Sequence, residues 1–77
     1  MNFRDSLIRA SEKEFEASIE KHRILVEILL EDTFQHLGQH VEKIERQLDL
    51  ISGYEDKLSV LKKYFKDGKS TPNLLND

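Results

Sequence analysis

The sequence predicts an all-α protein in which a long N-terminal helix and a short returning helix form an antiparallel helical hairpin that associates as a helical bundle. Three observations carry this. First, Ile8, Phe15, Ile19, Val26, Leu30, Phe34, Leu37, Val41, Ile44, Leu48 and Ile51 fall within an arc of about 100° on a helical wheel, which is one face of a helix. Second, no proline occurs between Phe3 and Ile51, and the one glycine there is Gly38, so nothing strongly breaks a helix. Third, the apolar positions that follow, Tyr54, Leu58, Leu61 and Phe65, are rotated by about 90° from that stripe. A change of phase beside Gly53 reads as a turn.

Taken in order, Asp5 or Ser6 caps the start of the long helix, and Asp5 with Arg9 and Glu42 with Arg46 are acid-before-base pairs one turn apart. A rival break lies at Glu31, Asp32 and Thr33, where Asp32 and Gln35 imitate a capping box. The stripe keeps its phase across that point, which favours a continuous helix to Ile51, with Gly38 as a bend or a close approach of another helix. Ser52 and Glu55 fit the capping box of a second helix, and Glu55 and Asp56 suit its positive end. That helix is expected over 53–66, with Gly68 beyond it as the C-cap residue. The predicted organisation is a helical hairpin domain over 1–68 and a flexible tail over 69–77, which holds Pro72.

Seventy-seven residues are near the lower limit at which one hydrophobic core stabilises itself. The chain has no cysteine, so disulfides and thiolate zinc are excluded and self-association is the remaining support. A hydrophobic content of 38% beside 35% charged residues is too apolar for a disordered chain and suits amphipathic helices. Between Ile24 and Leu30 the helix is apolar nearly all round, and a helix buried on two sides has two neighbours. A returning helix of about 20 Å, at about 1.5 Å per residue, reaches only to about Gly38. A second copy is then expected to cover the rest, through Phe15, Ile19, Val26, Ile28, Leu29, Leu30, Phe34 and Leu37, most simply as a homodimer.

The chemistry-bearing residues are few. Asp32, His36 and His40 lie one turn apart along one flank, a spacing that zinc can use only with ligands from another helix, and His22 reads as a rim residue. His40 also lacks the acid and proline context of a phospho-accepting histidine. Gly68, Lys69 and Ser70 match the end of a phosphate-binding loop, but Lys63 stands where glycine is required. A two-helix hairpin offers no dehydrated cleft to raise a carboxyl pKa. No enzyme, cofactor or metal is therefore expected. With no apolar segment long enough for a membrane and no secretory leader, a cytoplasmic setting is expected.

The expected role is that of a small non-enzymatic protein-binding regulator, adaptor or assembly subunit acting through an oligomeric helical surface. Phe3 and Leu7, framed by Glu12, Glu16 and Glu20, are the candidate partner-binding residues. The alternative is a nucleic-acid-associated regulator that uses the lysine-rich second helix, with Lys57, Lys62, Lys63, Lys66 and Lys69. A net charge of −3 gives that alternative no general electrostatic support.

Overall fold

The computed structural model describes residues 3–31 and 37–66. They form two helices of nearly equal length, α1 (Phe3–Glu31) and α2 (Leu37–Tyr64), followed by a turn at residues 65–66. The helices run antiparallel, because contacts on α2 move toward its N-terminus as those on α1 move toward its C-terminus. Arg4 donates to the Phe65 carbonyl, Phe15 meets Tyr54, and His22 meets Gln47. The all-α helical hairpin expected from the sequence is thus present.

Its proportions differ from the expectation. α2 passes straight through Ser52 and Gly53, and the chain reverses between Glu31 and Leu37, at the break that the sequence offered as a rival. The second helix is 28 residues long beside 29 for the first, so it is not short. Its start at Leu37 also brings it alongside Val26 and Leu29, which the shorter helix could not reach. Residues 32–36, the Gly68 cap and the 69–77 tail lie outside the described residues.

The physical reason is that the face of α2 turned toward α1 is not purely apolar. Its less exposed residues from His40 to Leu61 are His40, Ile44, Gln47, Ile51, Tyr54, Leu58 and Leu61, which alternate four and three apart without interruption across Gly53. Selecting only apolar residues replaces His40 and Gln47 by Val41 and Leu48. Those two are 57% and 51% exposed, and each is rotated by about 100° from its neighbour. That substitution creates the apparent change of phase at Tyr54.

Asp5 in the first turn of α1 suits the positive end of its dipole, whereas its last turn holds no basic residue and ends on Glu31, so the dipole does not explain the stop there. At Gly53 and Gly38 an added methyl group would meet nothing within 4 Å. Neither glycine marks a close approach within the chain, and Gly53 lies in regular helix.

Candidate interaction surface

The groove between the helices is built around one polar and aromatic layer. His22 and Gln47 are joined by a hydrogen bond between Nδ1 and Oε1, in which the ring N–H donates to the amide oxygen. The His22 ring lies over Tyr54, with centroids 6.0 Å apart and planes 12° from parallel, and Phe15 packs on Tyr54 at 6.2 Å. His22 is therefore inside the hairpin contact rather than on a rim. His40 is also inside it, the one buried polar residue among those described, at 9% exposure.

At the open end, Lys66 Nζ stands 3.1 Å from Glu12 Oε2, with the Glu12 side chain mostly covered, and Arg4 Nη2 donates to the Phe65 carbonyl at 2.6 Å. These contacts tie the two termini of the hairpin. Lys57 and Lys63 lie over the rings of Tyr54 and Tyr64 on their own helix, and these two lysines and Lys66 remain exposed.

The residues expected to meet a second copy divide. Phe15, Ile19, Val26 and Leu29 are half-buried and face α2, so their contacts are largely made within the chain. Ile28 and Leu30 are each 58% exposed and keep an outward surface. Phe34 and the side chain of Leu37 lie outside the described residues. The expected partner-binding set divides too. Phe3 and Leu7 are 77% and 52% exposed, but Glu12 and Glu16 each follow one of them by nine positions, which puts them about 180° away around α1. Glu12 is held by Lys66 and Glu20 by Arg23 at 3.3 Å, so the acidic flank and the apolar pair do not form one patch.

Among the described residues no apolar side chain is buried, and no group of three potential metal ligands comes together; Asp32 and His36 lie outside those residues. The concavities are shallow and open. One is lined by Phe15, Asp56, Lys57, Val60, Leu61 and Phe65, another by Ile19, Glu55, Leu58, Ser59, Lys62 and Lys63. No described helix is long and apolar enough to cross a membrane.

What the sequence reading missed is a second column on the outside of α1: Phe3, Leu7, Ala10, Glu14, Ala17, Lys21, Ile24 and Ile28, every one exposed. Its signal is the alternating spacing of four and three, hidden by the alanines and by the two charged members. No family model, curated protein or solved structure matches the chain.

Proposed function

We propose that this chain is a small non-enzymatic protein-binding module, a regulator, adaptor or assembly subunit, that acts through the surface of a homo-oligomeric helical bundle. One observation carries the reading. Eleven large apolar side chains among the described residues are exposed while none is buried, and a soluble chain seldom leaves so much apolar surface without a partner.

Sedimentation equilibrium of the unmodified chain across the micromolar range tests the proposal, with a dimer or larger species as the expected result. A folded monomer at high micromolar concentration overturns it. Duplex DNA at two salt concentrations provides the opposing arm. Submicromolar, salt-sensitive binding that is lost in Lys62→Ala with Lys63→Ala would move the assignment to nucleic acid, because counterion release marks phosphate contacts.

A further inference from the structure

The outer column of α1 has an order that specifies what covers it. Read toward Ala17, it presents Phe3, Leu7, Ala10 and Glu14 from the N-terminal side and Ile28, Ile24 and Lys21 from the C-terminal side. Leu7 and Ile28 lie about equally far from Ala17, as do Ala10 and Ile24, and Glu14 and Lys21. A column of this kind is complementary to its own reversed copy.

We propose that a second copy of this chain docks α1 against α1 in antiparallel orientation, about a twofold axis near Ala17. This inference rests on the self-association proposed above and adds to it the face and the direction. The axis sets Leu7 opposite the second copy's Ile28, Ala10 opposite its Ile24, and Ala17 against its Ala17, in the isologous manner of a twofold interface. Ala17 lets the two backbones approach closely at the centre, Ala10 leaves room for the second copy's Ile24, and the large residues close over the ends.

Charge decides the direction. Glu14 and Lys21 are exposed and form no ion pair among the described residues. A parallel pairing places Glu14 against Glu14 and Lys21 against Lys21, which repels twice. The antiparallel pairing places Glu14 against Lys21 on both sides of the axis, so that opposite charges meet and the competing orientation is disfavoured.

The absence of native cysteine allows a direct test by single-cysteine variants of the full chain. Ala17→Cys should form a disulfide-linked dimer under mild oxidation, because residues at a twofold axis approach within bonding range, while Ser52→Cys on α2 should not. Glu14→Lys and Lys21→Glu, each still helical by circular dichroism, should weaken dimerisation about tenfold or more, and the double exchange should restore it. If the chain is dimeric but Ala17→Cys does not cross-link and the charge reversals have no effect, this docking is wrong and the self-association stands. If the unmodified chain is monomeric at high micromolar concentration, both are wrong.

Discussion

The inner and outer faces of α1 use the same heptad spacing in opposite ways. The inner face, with Ile8, Phe15, Ile19, His22, Val26 and Leu29, includes a hydrogen-bonding histidine and is matched within the chain by α2. The outer face, from Phe3 to Ile28, is interrupted by alanines and two unlike charges, and all of it is exposed among the described residues. Polar members do different work on the two faces. On the inside, a polar pair at an otherwise apolar position fixes which residues meet, here His22 with Gln47. On the outside, a positive and a negative charge flanking a centre select orientation between molecules.

The inner face can be broken most severely through its partner helix. Proline at position 53 removes a backbone donor and clashes with the preceding turn in the middle of α2, at a cost of about 3 kcal/mol or more. Gly53→Pro should therefore lose most of its helical circular dichroism at room temperature. A variant as helical and as stable as the parent would mean that the chain turns at Ser52 and Gly53. Tyr54→Ala should have the next largest effect, since Tyr54 touches both Phe15 and His22. Because the ring is only half-buried, a loss of about 2 kcal/mol is expected in a denaturant titration.

Smaller changes sharpen the contrast between the faces. Gly53→Ala places a methyl group in open space within regular helix, and should raise stability by about 1 kcal/mol without altering the oligomeric state. Glu12→Gln should cost less than about 1 kcal/mol, because its partner Lys66 is half exposed and well solvated. Its cost should shrink further when the melt is repeated in concentrated salt. An undiminished loss at high salt would assign Glu12 a role other than pairing with Lys66.

The sequence makes the helical hairpin legible because Ile8, Phe15, Ile19 and Val26 keep helical period and no proline intervenes. The position of the turn was hidden for a specific reason. His40 and Gln47 occupy contact positions while Val41 and Leu48 do not, so hydrophobicity alone traces a stripe displaced by one residue at each. Asp32 with Gln35 was a legible cap signal, but the phase of the displaced stripe argued against a break there. The outer column was hidden by the converse effect, since Ala10, Glu14, Ala17 and Lys21 interrupt its large apolar positions. Function was the least legible, because an interaction surface without a catalytic or ligand-binding motif carries no residue pattern that names its partner.

The central claim is that the hairpin leaves one face of α1 to be completed by another chain, and the concentration dependence of thermal unfolding tests it most directly. If folding and association are coupled, dilution must lower the melting temperature by mass action. A dimer of chains this size should lose about 5 °C for each tenfold dilution. A fully helical chain whose melting temperature stays constant from high micromolar to submicromolar concentration would contradict the account.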